Sequence, residues 1–419
     1  MAPPRVVISG IGAVSAFGVG RERFWQAVST GVSGTRAITQ FDVSTYPSQV
    51  AAWVPPVTAA DAPALEGDAD LAQRADPRRY SRAALFGVVA GREAWRDAGL
   101  RAGEPNAGVV IGSGGGGIDV GESQYRDFFL EGGKHVTPYA IATGICGMVS
   151  SEVSISLGLR GVSHVLSCGC TSSTDATGYA LGMVRSGEYD VMLTGGTDGC
   201  VLPGMIFGFS RMRAVSTRFN DRPEAASRPF DRNRDGFVLG EGAWMYVLER
   251  EDRALARGVR PYAVVESYAS TCDAYHRVQL EPDGVEIIRC MTTALGRSGR
   301  ALEEIGYVNY HGTSTQLNDA VESRSVRKVF GALADGVPGS STKSMIGHPQ
   351  GASGAAGIVS TALALSRGVL PPTINLETPD PACDMDFIPN RPRIAQVDAA
   401  LCNCLGFGSK NSAIVLGRA

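Results

Sequence analysis

The chain has 419 residues, 44% hydrophobic and 19% charged, with 53 glycines and 22 prolines; these are the proportions of a soluble globule and exclude disordered, collagen-like and fibrous classes. Its 39 Lys and Arg against 42 Asp and Glu leave a net charge of −3 without a long run of one sign, which excludes nucleic-acid wrapping by bulk charge, and no stretch reaches the roughly 18 apolar residues of a membrane span. Nine cysteines, an odd number scattered through apolar sequence, read as thiols of a reducing cytoplasm rather than a secreted disulfide framework.

The first apolar run, Val6 to Gly10, reads as a buried strand leading into a turn; Ser9 and the glycines that follow are wrong for a signal-peptide core, and only Arg5 precedes it as a basic residue. Helical spacing over Tyr80 to Ala98 comes next, then strands over Ala107 to Gly112 and Val165 to Cys168, the latter running into a helix over Thr171 to Ser186. Strands over Val191 to Gly195 and Trp244 to Leu248 enclose a polar, Pro-containing segment, Arg218 to Arg234, read as a surface excursion. Beyond a strand at Ala263 to Glu266, helices over Glu286 to Ser298, Asp319 to Phe330 and Gly354 to Ser366 alternate with strands over Ile305 to Tyr310, Leu401 to Leu405 and Ala413 to Leu416. This alternation predicts an α/β protein whose strands are covered by helices on both faces. The midpoint falls at Asp252 to Arg260, giving halves 1–252 and 253–419; each holds a strand, a Gly-rich turn and a strand-to-helix junction, though identity between them is negligible.

Four segments carry chemistry. In Val165-Leu-Ser-Cys-Gly-Cys170-Thr-Ser-Ser a strand ends and Cys170 stands where a helix begins, so free N–H groups and the positive helix end favour a thiolate nucleophile; Cys168, on the strand, reads as a small buried hydrophobe. In Tyr310-His311-Gly-Thr313-Ser-Thr315 an imidazole at a strand terminus is placed to exchange a proton near neutrality. In Ser340-Ser-Thr-Lys343-Ser-Met-Ile-Gly-His348 a Lys and a second His flank a turn before a small-residue helix. In Cys402-Asn-Cys404-Leu-Gly-Phe407-Gly-Ser409-Lys410-Asn411 a strand enters a glycine loop where Phe407 serves as a gate and its N–H as an oxyanion donor.

Other patterns fail. Asp231-Arg-Asn-Arg-Asp235-Gly236 starts like a calcium loop, but Glu241 comes one place early, which leaves a salt-bridged turn. Gly10-Ile-Gly12 lacks its third glycine and Gly112 to Gly117 has no Lys-Ser/Thr after it, so neither binds nucleotide phosphate. The Cys-x-Cys pairs lack zinc-ligand spacing, and no metal is expected.

In this order the segments, with Ala226-Ser-Arg-Pro-Phe-Asp-Arg-Asn-Arg-Asp-Gly-Phe-Val-Leu-Gly-Glu-Gly, Asp273-Ala-Tyr-His and Pro371-Pro-Thr-Ile-Asn-Leu-Glu, resemble the β-ketoacyl synthases, condensing enzymes of the thiolase superfamily, over nearly the whole chain. The resemblance implies a five-layer α/β/α/β/α sandwich of two pseudo-repeated halves. It implies Cys170 as acyl-accepting nucleophile, His311 and His348 as the active-site histidines, Lys343 as supporting lysine, Phe407 as gate, Glu322 as a structural acid near the lysine, and Thr313 and Thr315 at the pantetheine arm of a carrier protein. Neutral imidazoles would stabilise the enolate left by decarboxylation, with Lys343 disfavouring imidazolium. The substrates ride on the phosphopantetheine of an acyl carrier protein, and no external cofactor is implied. Arg78, Arg79, Lys134, Arg211 and Arg213 match regions that meet the acidic carrier.

Gly169-Cys-Thr-Ser with Asp175-Ala and Pro379-Asp-Pro-Ala-Cys-Asp looks most like the catalytic subunit of type II polyketide synthases, which pairs with a chain-length factor; Ser341-Thr-Lys-Ser-Met-Ile-Gly-His is shared with the homodimeric fatty-acid elongating synthase. A noncatalytic chain-length subunit would lack the nucleophile. Cys404 faintly suggests the second cysteine of thiolases; under the condensing-enzyme reading its loss alone leaves activity. Two departures stand out: Ser409-Lys410 stiffens the gating loop and adds a charge, and Gly115 replaces a bulky apolar residue, which implies a roomier acyl channel.

Overall fold

The computed structural model describes residues 4–68 and 76–419. The first half runs β1 (Val6–Ser15), α1 (Arg21–Thr30), α2 (Arg82–Asp97), β2 (Ala107–Gly112), α3 (Ile118–Glu131), α4 (Ala140–Gly144), α5 (Met148–Leu157), β3 (Ser163–Leu166), α6 (Ser172–Ser186), β4 (Val191–Asp198), α7 (Pro203–Arg211) and β5 (Gly242–Arg250). After α8 (Glu251–Ala256) the second half runs β6 (Ala263–Cys272), α9 (Val285–Ser298), β7 (Ile305–Asn309), α10 (Gln316–Phe330), β8 (Gly339–Ser340), α11 (Lys343–Ile346), α12 (Ser353–Arg367), β9 (Ala399–Gly406) and β10 (Lys410–Gly417).

These strands form one hydrogen-bonded path, β8-β7-β9-β10-β6-β1-β5-β4-β2-β3. In the first half β2 lies parallel between β3 and β4, β4 is antiparallel to β5, and β5 to β1. The second half repeats this: β7 lies parallel between β8 and β9, β9 is antiparallel to β10, and β10 to β6. The halves join where β1 pairs antiparallel with β6 at Val7↔Val264 and Ile8↔Ala263. The duplication that sequence identity hides is therefore explicit in the strand order.

Both faces of the sheet are apolar, as helix-covered strands require. On β2, Val109 and Ile111 face Val88 and Trp95 of α2, while Val110 faces Ala176 and Ala180 of α6. In the second half Val308 and Leu401 pack with Met291 of α9 and Val321 of α10, whereas Tyr307 and Cys402 pack with Ile358 and Val359 of α12. Helices α6 and α12 touch strands of both halves and each other, so they form the central layer; α2 with α5 and α9 with α10 form the outer two. This is the expected five-layer α/β/α/β/α sandwich. On β1, a Cβ at Gly10 or Gly12 would lie 2.2 or 2.0 Å from a carbonyl oxygen of α2, so that glycine pair serves close helix packing, not a nucleotide.

Periodicity found nine of these ten strands, missing the two-residue β8, and five of the helices, but not α1, α3, α4, α5, α7, α8 or α11. Helix α3 buries none of its residues, and its apolar side chains, Tyr125, Phe128, Phe129 and Leu130, face outward, so no inward stripe marks it. The excursion is corrected in its second part: Arg218 to Ala225 stays near the surface, but Ala226 to Asp231 is buried. There Arg228 pairs with Asp231 at 3.0 Å, and Arg234 with Asp380 at 2.6 Å and Asp319 at 3.5 Å, the salt-bridged turn expected of the calcium-like motif.

Candidate active site

Cys170 occupies a single 3-10 turn, Gly169–Thr171, between β3 and α6. Gly169 has φ 73°, a left-handed backbone that glycine takes without strain, and the Ser172 hydroxyl accepts the Cys168 N–H at 2.8 Å and donates to the Gly169 carbonyl at 2.6 Å. The thiol is buried, and burial pushes it up to about 11, against the pull of the Phe407 N–H and the Lys343 charge. The sequence expectation of a favoured thiolate is corrected: desolvation outweighs the helix start, and the resting group is a thiol.

His311 follows β7 in a turn that Glu322 of α10 holds from below, its carboxylate accepting the N–H groups of His311 at 2.7 Å and Gly312 at 2.8 Å. Burial lifts the Glu322 carboxyl to about 7, with the Lys343 charge a smaller, opposing influence. The structural acid thus acts on the backbone of the His311 turn. His348 follows α11 and is strapped to a neighbouring strand, its N–H donating to the Val238 carbonyl at 2.7 Å and its carbonyl accepting from Gly240 at 3.0 Å. Its Nδ1 accepts the Gln350 N–H at 3.2 Å and lies 3.1 Å from Ser353 Oγ. The two imidazoles meet edge to face with centroids 5.2 Å apart. Both are held well below the ordinary histidine value, by burial first and by Lys343 second, so both are neutral. Lys343, at the start of α11, is buried, which draws its ammonium below its ordinary value.

Cys170 Sγ and one ring nitrogen of each histidine lie within 4.8 Å of one another. Three such atoms could hold a divalent cation, but the Gln350 N–H occupies the Nδ1 lone pair of His348, so its Nε2 carries the hydrogen and offers no lone pair. The trio lines a cleft of about 330 Å3 together with Thr313, Thr315 and Phe407. The hydroxyls of Thr313 and Thr315 are 2.9 Å apart. Phe407 sits in the β9–β10 turn with its N–H on the Cys170 thiol and its ring 6.3 Å from that of Phe209. Ser409, at φ 64°, ties that turn down: its Oγ accepts the N–H groups of Tyr275 at 3.3 Å and His276 at 3.1 Å and donates to the His276 carbonyl at 2.8 Å.

Gly115 does not line the cleft, which corrects its reading as a pocket-widening residue. Its N–H donates to Asp198 Oδ1 at 2.8 Å, and a Cβ there would fall 2.6 Å from Cys200 Sγ, so close packing dictates the glycine. Asp198, which no motif marked, also accepts from Ser113 Oγ at 2.8 Å, Gly114 N at 2.9 Å and Gly351 N at 2.6 Å; it fills the glycine loop and links it to the turn after His348. The five basic residues are exposed but do not form one patch. Arg213 lines the mouth of the Cys170 cleft and Arg211 ends α7 beside it. Arg78 and Arg79 line a separate cleft with Tyr139, whose ring lies 3.8 Å from the Arg79 guanidinium, and Lys134 lies in the α3–α4 connection in neither lining. Cys404, on β9, is inside the site: its Sγ lies 3.0 Å from the Cys170 carbonyl oxygen and 3.7 Å from His311 Nδ1. Two residues on from Cys402, which packs with α12, it lies on the same face of β9; the sequence marked it only through the faint likeness to the second cysteine of thiolases.

The family model of the beta-ketoacyl synthase N-terminal domain matches residues 4–254, and that of the C-terminal domain matches residues 262–377. A 3-oxoacyl-[acyl-carrier-protein] synthase 2 of Coxiella burnetii is 41% identical over 417 residues, covering 99% of this chain and 98% of the relative. The tetracenomycin polyketide synthase ketoacyl synthase alpha subunit of Streptomyces glaucescens is 39% identical over 435 residues, covering 100% and 98%. Among solved structures, the ishigamide ketosynthase/chain length factor superposes with a TM-score of 0.91 at 32% identity and covers 100% of both chains.

Proposed function

The chain belongs to the β-ketoacyl synthase family of condensing enzymes, and from that premise we propose that it is the catalytic ketosynthase of a type II polyketide synthase, extending an acyl chain with malonyl units on an acyl carrier protein. The observation that carries this is the convergence of Cys170, His311 and His348 within 4.8 Å at the cleft floor. Cys170 attacks the carrier's acyl thioester; its thiol proton leaves through an imidazole to the departing pantetheine sulfur. The N–H groups of Cys170 and Phe407 hold the oxyanion. A malonyl carrier then enters past Thr313 and Thr315. As CO2 leaves, the electron pair of the broken C–C bond becomes an enolate that neutral imidazole N–H stabilises and that attacks the acyl-Cys170 carbonyl. Cys170 departs as thiolate and takes up one proton, so the cycle needs no external cofactor and no metal.

Arg213 and Arg211 at the cleft mouth support docking of an acidic carrier. The exposed apolar side chains of α3 and α4, Phe128, Phe129, Leu130 and Ile141, support burial against a partner subunit, which we take to be a chain-length factor, the kind of subunit named in the ishigamide ketosynthase/chain length factor structure. No helix among the described residues is long and apolar enough to cross a membrane, and nine free cysteines support a reducing, cytoplasmic setting. A second reading, a homodimeric fatty-acid elongating synthase, is favoured by the 41% identity to the Coxiella relative; native mass of the chain expressed alone and with a homologous neighbour separates the two. Intact-protein mass after acyl carrier and then malonyl carrier tests the chemistry: an acyl adduct forms on the wild type and not on Cys170→Ala, and malonyl carrier discharges it as a β-ketoacyl product. A wild type that never acylates, with or without a partner, overturns the reading.

A further inference from the structure

His348 and His311 have different neighbours at Nδ1, and the difference assigns their protons. The Gln350 N–H, which can only donate, points at His348 Nδ1 at 3.2 Å; that nitrogen therefore keeps its lone pair, and the neutral ring carries its hydrogen on Nε2. At His311 the neighbour is the Cys404 thiol, 3.7 Å from Nδ1. The same sulfur lies 3.0 Å from the Cys170 carbonyl oxygen, which can only accept, so the single S–H points there. What Sγ offers to His311 is a lone pair, and Nδ1 must carry the hydrogen to meet it.

We propose that Cys404 is a positioning residue that fixes His311 with a bare Nε2, the tautomer opposite to the protonated Nε2 that the Gln350 N–H sets on His348, so that one ring acts as base and the other as hydrogen-bond donor. Resting on the condensing-enzyme reading, this divides the steps. His311 Nε2 accepts the proton from Cys170 Sγ as the S–C bond to the acyl group forms, and returns it to the pantetheine sulfur as the old thioester breaks. His348 Nε2–H donates to the malonyl thioester oxygen as that oxygen gains charge during loss of CO2. The burial that keeps both rings neutral is what makes tautomer, rather than charge, the variable.

The test uses full-length protein labelled with 15N-histidine, with His311→Ala and His348→Ala to assign resonances, and long-range 1H–15N correlations to read the protonated nitrogen of each ring. Opposite tautomers are expected; the same tautomer on both rings overturns the proposal. In single-turnover mass measurements Cys404→Ala slows acylation of Cys170 about tenfold while CO2 release from malonyl carrier by acyl-loaded protein changes less than about twofold, and Cys404→Ser, whose hydroxyl also donates and accepts, restores acylation. Acylation slowed less than about twofold in Cys404→Ala, or both steps slowed alike, overturns it. Should Cys404→Ala fail to fold, the wild-type spectrum decides alone. A wild type that never acylates defeats the condensing reading instead, and the tautomers are still read from its spectrum.

Discussion

The two halves place different chemistry at equivalent strand ends. Beyond β3 the turn Gly169–Thr171 sets Cys170 at the start of α6; beyond its counterpart β8, α11 and the turn Gln350–Ala352 set Lys343 and His348 before α12. Beyond β2 a glycine loop is gripped by the carboxylate of Asp198; beyond its counterpart β7 the His311 turn is gripped by Glu322. Duplicated topology thus fixes where side chains can converge, and the same device, a buried carboxylate on backbone N–H groups, stiffens both sides. The residues themselves divide the work: the first half supplies the nucleophile, the second the proton-bearing groups.

That division is broken most directly at its two poles. Cys170→Ala removes acylation and condensation together, by at least about three orders of magnitude, whereas His348→Ala leaves the acyl adduct and lowers condensation about 100-fold or more; loss of the adduct in His348→Ala would merge the two roles. The paired carboxylates give the next contrast. Asp198→Ala strands the backbone N–H groups of Gly114, Gly115 and Gly351, whereas Glu322→Ala strands those of His311 and Gly312, and the two should cost about 3 and about 2 kcal/mol, read as lower denaturation midpoints. The resting protonation states come third. With the Cys170 thiol pushed up to about 11, its thiolate fraction grows as pH rises, so alkylation by iodoacetamide climbs about tenfold per pH unit between about pH 7 and 9. A plateau below about pH 8 would reveal a thiolate–imidazolium pair. The smallest effect is at the rim: Arg213→Glu raises the KM for acyl carrier protein severalfold and flattens its salt dependence, while Arg78→Glu, in the other cleft, changes it little.

Much of this was legible in the sequence because strands buried on both faces and helices with one apolar stripe leave periodic marks. Residues at element junctions, such as Cys170, His311 and His348, stood beside glycines that flagged them. What escaped obeys no period. Helix α3 presents its apolar side outward, so its pattern points to a partner rather than to a core. Asp198 grips Gly351, 153 positions away, and Cys404, though noted in the sequence, gave no sign there of meeting His311 across 93 positions; neither spacing repeats. Gly115 was misread because a position in the sequence carries no record of Cys200 beside it, and the thiolate at Cys170 was overestimated because a helix start is local whereas desolvation belongs to the whole fold.

The strand order also governs how the molecule comes into being. β1, which precedes the other strands of the sheet in chain order, lies at its middle between β5 and β6, and β10, which follows them, lies between β9 and β6. A chain emerging from the ribosome therefore holds β1 with only the short local pairing to Gly18–Val19 until residues near 250 have appeared, and does not complete the sheet of its second half until β10 slots in. Such non-local pairing folds slowly. It also means that the Phe407 N–H reaches Cys170 only once β9 and β10 have paired, so a chain that has not yet made them carries the thiol but not the oxyanion donor.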